Sequence, residues 1–277
     1  MIMDLHTHTH HSPDAAGDTA ADRVKAAKAL GLQYLAITDH VEINRWYPAA
    51  YYHAKETEEF IYDSERVFCG SVAETTAAKA QAAAEGITLL CGAEVGQIPQ
   101  DIPRSAEIYA DKRLDIVLGS VHELPEMADF FFLDYANMDI PALITAYFSE
   151  VLRLAQTDCY DVLAHLTYGL RYLPNRAAYD ITPHLPVIDE IFRTLIAKSK
   201  ALELNGSLLK SSDATDPDFA LVKRYYDLGG RLLTLSTDAH ENKWLGYRME
   251  TLEDMAKQAG FTHLTAYLKH KPVMIQL

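Results

Sequence analysis

Residues 88–95 read Thr88-Leu89-Leu90-Cys91-Gly92-Ala93-Glu94-Val95, an apolar run that closes on a carboxylate. Continuous rather than alternating apolar character marks a strand covered on both faces, as in a parallel sheet. Six other runs share it, at 2–6, 34–39, 115–121, 160–166, 201–205 and 231–237. Helical patterns separate them. Asp18 or Thr19 can cap a helix that runs through Ala27 and stops at Gly31. Residues 72–85 are rich in Ala, Glu and Lys and are followed by Gly86, a strong helix with its stop. Segments 140–156, 186–200, 217–228 and 249–259 complete the set. Strand–helix alternation from end to end predicts an α/β fold with a parallel sheet, and seven units predict barrel-like closure. An open doubly wound sheet would struggle to bring seven strand ends to one point. No repeat or Pro/Gly/Ser-rich linker interrupts residues 1–277, so a single domain is expected.

The strand ends carry the chemistry. The first run leads into Asp4-Leu5-His6-Thr7-His8, the second ends Thr38-Asp39-His40, and the last leads into Thr237-Asp238-Ala239-His240. Glu94, His122 and His165 each close another run. Alternate residues of a strand share a face, so His6 and His8 can reach one ion, and Asp238 and His240 repeat that spacing. Asp14, six residues after His8, can fold back as a further ligand. An ionised carboxylate at the end of an apolar strand is costly unless paired or metal-bound, which singles out Glu94. Each histidine alone reads equally as a satisfied core residue. Their recurrence at one structural position does not. Imidazole and carboxylate together suit zinc, manganese and iron. Asp39 is expected to fix the tautomer of an imidazole, and His10 and His11 are expected in a loop.

Composition narrows the partners. A net charge of −14 argues against general nucleic-acid binding. Locally, three divalent ions beside Asp14, Glu94 and Asp238 would reverse that sign and admit a phosphate substrate. No apolar run approaches the roughly 20 residues of a membrane span. Cys69, Cys91 and Cys159 form no CxxC pair and are expected to be inert thiols in a reducing cytoplasm. Two long segments break the rhythm. Residues 41–70 carry Trp46, Tyr47, Tyr51 and Tyr52, and 123–139 carry Phe130, Phe131, Phe132 and Tyr135. Both follow a candidate ligand, where long loops shape access to a site.

With these motifs in order, HxH, TDH, a strand-end Glu, GSVH, a later His and DxH, the chain resembles the polymerase-and-histidinol-phosphatase (PHP) superfamily of metallophosphoesterases. Within it, GSVHEL, FFFLDY, LAHLTYGLRY and LELNGSLLK are most similar to the histidinol-phosphate phosphatase group. The resemblance implies a distorted seven-stranded barrel and a trinuclear centre. One ion would take His6, His8, Glu94 and Asp238, a second Glu94, His122 and His165, a third Asp14, His40 and His240. Two departures stand out. Thr167 and Tyr168 follow His165 where an Asp is usual, and LNGSLLK has Lys210 but no Arg.

The expected reaction is hydrolysis of a small-molecule phosphate monoester by two to three divalent ions, zinc, manganese or iron. Such hydrolysis needs on the order of 20 kcal/mol of barrier lowering, beyond the reach of a lone general base. Arg171 is the expected phosphate ligand, because a guanidinium meets phosphate oxygens bidentately, with Lys210 a second cation. Asp238, His240 and a metal-bound water are the candidates to protonate the leaving group. Glu42, Glu123, Trp46 and Tyr47 are candidate contacts for a cationic, ring-bearing substrate such as L-histidinol phosphate. Competing readings are another phosphoesterase of this superfamily, a barrel hydrolase of C–N bonds, and a non-catalytic metal-binding protein. The C–N hydrolases commonly carry a strand-end Lys, which is lacking from the seven runs here. The sequence leaves the oligomeric state open.

Overall fold

Strands buried on both faces need helices outside and a packed lumen within, and the computed structural model shows both. It describes residues 2–43, 63–210 and 217–277. The strands are β1 (Met3–Asp4), β2 (Tyr34–Ile37), β3 (His40–Glu42), β4 (Thr88–Gly96), β5 (Ile116–Ser120), β6 (Val162–Leu163), β7 (Ala201–Asn205) and β8 (Leu233–Ser236). All pair in parallel, in the order β1-β2-β4-β5-β6-β7-β8, with β3 also on β4. Ile37 faces Cys91 and His40 faces Glu94, so β2 and β3 keep one register and are a single strand interrupted at Thr38-Asp39. The ends meet where Leu5 N–H donates to Leu235 O (3.1 Å) and Thr7 bridges Ala239. The result is a nearly closed seven-stranded parallel barrel.

Among the described residues seven helices follow the strands: α1 (Ala20–Leu30), α2 (Ser64–Ala84), α3 (Ile102–Tyr109), α4 (Ile140–Ala155), α5 (Leu185–Lys198), α6 (Asp218–Asp227) and α7 (Met249–Ala259). Thr19 caps α1 in a capping box with Asp22, and Gly31 ends it in the left-handed conformation. Alternation sorts β2 between two layers. Leu35 and Ile37 pack outward on α1 and α2, whereas Ala36 joins the main core.

Three features depart from the expected elements. Helix α2 begins at Ser64 rather than 72, because the Asp63 side chain caps it and Val67 and Phe68 already reach the core. Helix α3 lies inside what read as connection, started by Asp101 at its cap and Pro103 in its first turn. After α7 the chain forms an antiparallel hairpin, β9 (His263–Leu268) with β10 (Lys271–Gln276). It closes the barrel floor. Tyr267 Oη donates to Asp161 O (3.2 Å), His270 N–H donates to Asp115 O (2.9 Å), and Lys269 Nζ pairs with Asp115 Oδ1 (3.0 Å). The three cysteines are free, Cys91 and Cys159 buried and Cys69 exposed. Among the described residues no helix is long and apolar enough to cross a membrane.

Candidate metal centre

Parallel strands end together, so the residues just past them crowd one mouth of the barrel. His6, His8 and Glu94 are fully buried there, and His122, His165 and Asp238 nearly so. Glu94 stands at the middle. Its Oε2 lies 3.2 Å from His6 Nε2 and 2.8 Å from His40 Nδ1. Its Oε1 lies 2.9 Å from His122 Nε2 and 2.8 Å from His165 Nε2. Asp238 Oδ1 approaches His8 Nε2 at 3.2 Å and His6 Nε2 at 3.7 Å. Asp14 Oδ2 approaches His240 Nε2 at 3.0 Å and His40 Nε2 at 3.5 Å. Asp238 holds this position with φ 54°, a left-handed conformation that Asp tolerates better than most residues. Its carbonyl there accepts from Lys210 Nζ (2.8 Å).

In four of the six rings the far side fixes which nitrogen is bare. His6 Nδ1 faces Glu203 Oε1 at 2.8 Å, His122 Nδ1 faces Glu42 Oε1 at 2.8 Å, and His240 Nδ1 faces Asp238 O at 2.9 Å. Each partner only accepts, so each Nδ1 carries the proton. His8 reaches the same end through a hydroxyl. Ser12 Oγ donates to Asp39 Oδ1 (2.7 Å), so its oxygen receives the proton of His8 Nδ1 (3.0 Å). Asp39 is itself held by the Thr9 amide and the Thr9 and Ser71 hydroxyls. These four rings therefore turn lone pairs on Nε2 toward carboxylate oxygens. His6 Nε2, His8 Nε2 and Glu94 Oε2 are buried and have no hydrogen-bond partner among the described residues. Lone pairs face lone pairs there, an arrangement that a cation or a proton between them relieves. The donor set, imidazole with carboxylate, fits divalent transition metals.

Where a proton rather than an ion lies between nitrogen and oxygen, the two charges support each other. Burial works against charge on every member, yet Asp14, Glu94 and Asp238 are held well below the usual carboxylate range by the surrounding imidazoles. Burial would lower His6, His40 and His122, but the neighbouring carboxylates hold them well above the usual imidazole range. Burial and the adjacent His240 and His40 push His8 well down, and burial lowers His165. A metal ion competes with protons at such nitrogens.

A cleft of about 360 Å³ opens over the centre. Arg171, Glu42, Glu123, Asp129, Tyr168, Tyr172, Phe131 and Phe132 line it together with Asp14, His40, His122, His165, Asp238 and His240. Arg171 packs over the Tyr168 ring (4.8 Å) and pairs with Asp238 Oδ2 (3.3 Å), and its buried Nε has no partner among the described residues. Burial pushes the Glu123 carboxyl up to about 9, reinforced by the negative charges of Glu42 and Asp129.

The PHP domain family matches residues 4–207. The chain belongs to the PHP family. A probable histidinol-phosphatase of Thermotoga maritima is 26% identical over 271 residues, 95% of this chain and 94% of that protein. A histidinol-phosphatase of Lactococcus lactis is 26% identical over 276 residues, 96% of this chain and 94% of that one. The crystal structure of the Lactococcus lactis histidinol phosphate phosphatase, solved with zinc, L-histidinol and phosphate, superposes with a TM-score of 0.77. It covers 99% of this chain and 100% of its own at 24% identity, and so shares the fold.

The nine expected ligands come together at the mouth, seven within the matched residues and Asp238 and His240 beyond them. The other expected contacts fare differently. Glu42 lines the cleft but also accepts from His122 Nδ1 and from the Gln97 amide, which makes it a support for the ring. Lys210 does not line the cleft, and its ammonium donates to the Asp238 carbonyl. Trp46, Tyr47, Tyr51 and Tyr52 lie outside the described residues. Asp39 acts on His8 through Ser12 rather than directly.

Sequence reasoning missed Glu203, Ser12, Gln97 and Arg23. Glu203 had a signal, an acid inside the apolar run Ala201–Asn205. Gln97 accepts the His122 amide (2.9 Å) from a left-handed backbone position. Arg23, fully buried in α1, donates to His8 O (2.6 and 2.9 Å) and Ala239 O (3.2 Å), tying the first ligand loop to the last. Nothing in its Ala-rich surroundings marks it.

Proposed function

We propose that this PHP domain hydrolyses a phosphate monoester and that its substrate is L-histidinol phosphate, released as L-histidinol. The observation that carries the reading is the set of bare Nε2 atoms converging on Glu94, Asp238 and Asp14 beneath a cleft that also holds Arg171. Two to three divalent ions, of zinc, manganese or iron, would be held by His6, His8, Glu94 and Asp238, by Glu94, His122 and His165, and by Asp14, His40 and His240. Bound there, they supply Lewis acidity and positive charge at the phosphoryl group.

The chain's own groups do the rest. Arg171 offers a guanidinium already desolvated, with an unused Nε–H, to an oxygen of the phosphate. Its contact with Asp238 and the Tyr168 ring holds it in place before substrate arrives. Asp238 and His240 line the cleft, but Asp238 is held as the carboxylate and both face the ion positions, so neither is assigned as proton donor to the leaving oxygen. Glu123, Glu42 and Asp129 make part of the lining acidic, and an incoming ammonium favours the ionised form of Glu123. The rings of Phe131, Phe132 and Tyr172 offer faces for an imidazole.

The test is phosphate release from histidinol phosphate beside a panel of other monoesters and a phosphotyrosyl peptide. The protein would be stripped of metal and reloaded separately with zinc, manganese or iron. Metal-dependent turnover strongly favouring histidinol phosphate is the expected result. Equal weak activity across the panel would discard the substrate, and silence with every metal would discard the reaction.

A further inference from the structure

Two histidines left unused by the metal centre follow it directly in the chain. His10 and His11 would point to opposite faces of an extended strand. They sit instead in a turn, with ring centroids 4.1 Å apart, and both address one oxygen. His10 Nε2 lies 2.7 Å and His11 Nε2 2.9 Å from Glu74 Oε2. Glu74 belongs to α2, and its other oxygen accepts the amide of Ala20, the first residue of α1, at 2.7 Å. One oxygen is thus spent on backbone, and the other is aimed between two imidazoles.

The place is made for the ring. Gly70 lies one turn before Glu74 on α2, and a Cβ there would sit 2.7 Å from His11 Cε1 and 2.8 Å from His11 Nδ1. The His10 amide is anchored separately, on Asp18 O at 2.9 Å. The three donor atoms lie within 4.8 Å of one another and share no residue with the nine of the centre. Two imidazole nitrogens and one carboxylate oxygen are the set preferred by zinc and its neighbours, not the all-oxygen shell of calcium or magnesium.

We propose that His10, His11 and Glu74 form a second, separate binding site for a divalent transition metal of the zinc class. The side chains are 39%, 20% and 29% exposed, so water completes the coordination and the ion exchanges freely. An ion there clamps the loop between His8 and Thr19, which carries Asp14, onto α2. The site is therefore an accessory one, filled after the buried centre and stiffening the loop that brings Asp14 to it. This inference does not depend on the reaction proposed above.

The test is a zinc titration by calorimetry of protein whose buried centre is already loaded, with metal content measured after dialysis. The wild-type chain is expected to take up one weaker equivalent beyond the tightly held complement. Changing a group that merely supports a ligand costs metal affinity about 10- to 100-fold, so losing a ligand costs no less. His11→Ala and His10→Ala should each weaken that equivalent at least about tenfold and leave the tight complement intact. Crystals grown with excess zinc should show an anomalous peak between the two Nε2 atoms. Identical titrations for wild type and the double variant, or no anomalous peak there, would overturn the proposal and leave a hydrogen-bonded clamp.

Discussion

Glu203 Oε1 lies 2.8 Å from His6 Nδ1, with both side chains shut off from solvent. The same carboxylate accepts from the Ser236 hydroxyl (2.5 Å), the His165 amide (2.5 Å) and the Asn205 amide group (3.2 Å). Four donors converge on one anion, and it orients ligands that come from two different strands. Burial works against its charge, but His6 holds Glu203 below the usual carboxylate range.

Glu203→Gln is therefore expected to weaken metal binding rather than only soften the fold. An amide has one acceptor oxygen, so at least two of the four donors would face an NH₂ group. Loss of such a supporting group costs about 10- to 100-fold in metal affinity. Competition with a chelator of known strength measures it, and wild-type retention of metal would remove the orienting role.

Glu94 is the acid most of the histidines share. Glu94→Gln should empty the centre and lower phosphate release by at least about 1000-fold, because both metal positions that use it lose an anionic ligand. Metal content and turnover are measured on the same sample. Full turnover with intact metal would end its bridging role.

Arg171→Ala should leave metal content unchanged and weaken inhibition by inorganic phosphate. A hydrogen bond to a charged group contributes about 1.5 to 3 kcal/mol, which corresponds to roughly 10- to 150-fold in the inhibition constant. An unchanged inhibition constant would move phosphate binding elsewhere in the cleft.

On the barrel floor, Asp115 lies between Lys79 Nζ (2.5 Å) and Lys269 Nζ (3.0 Å). Burial would raise its carboxyl, but the Lys79 and Cys91 hydrogen bonds and Lys269 hold it below the usual value. A depressed folded-state pKa gives stability that is present above the unfolded value and lost as pH falls through the folded one. Asp115→Asn should cost about 2 to 4 kcal/mol near neutral pH. The gap to wild type should narrow as pH falls below the ordinary aspartate value of about 3.9 and the wild-type aspartate, held lower still, takes up its own proton. Denaturant titrations at neutral and acid pH read this directly, and a gap independent of pH would mean that packing, not charge, holds the hairpin.

The barrel could be read early because its strands are buried on both faces. That burial writes itself into the chain as uninterrupted runs such as 88–95, and it leaves any charged strand-end residue conspicuous. Glu94 and the HxH and DxH pairs stood out for that reason. Elements that depend on caps rather than periodicity were less visible. Helix α3 is short, and its start rests on Asp101 and Pro103. In the β9–β10 hairpin only the first strand is buried, and β10 stays largely exposed, so no doubly buried run marks it. Arg23 had no local mark at all.

The sequence by itself determined which side chains can bind metal and that they gather at one end of a parallel barrel, because ligand chemistry and strand burial are local properties of the chain. The tertiary structure alone decided which nitrogen is bare in four of the rings. That choice depends on acceptors far away in the chain, Glu203 for His6 and Glu42 for His122, or on a hydroxyl turned by Asp39 for His8. It also decided that Lys210 serves the Asp238 backbone and that His10 and His11 meet at Glu74. A hydrogen bond selects its partner by position and angle, and those exist only once the barrel has closed.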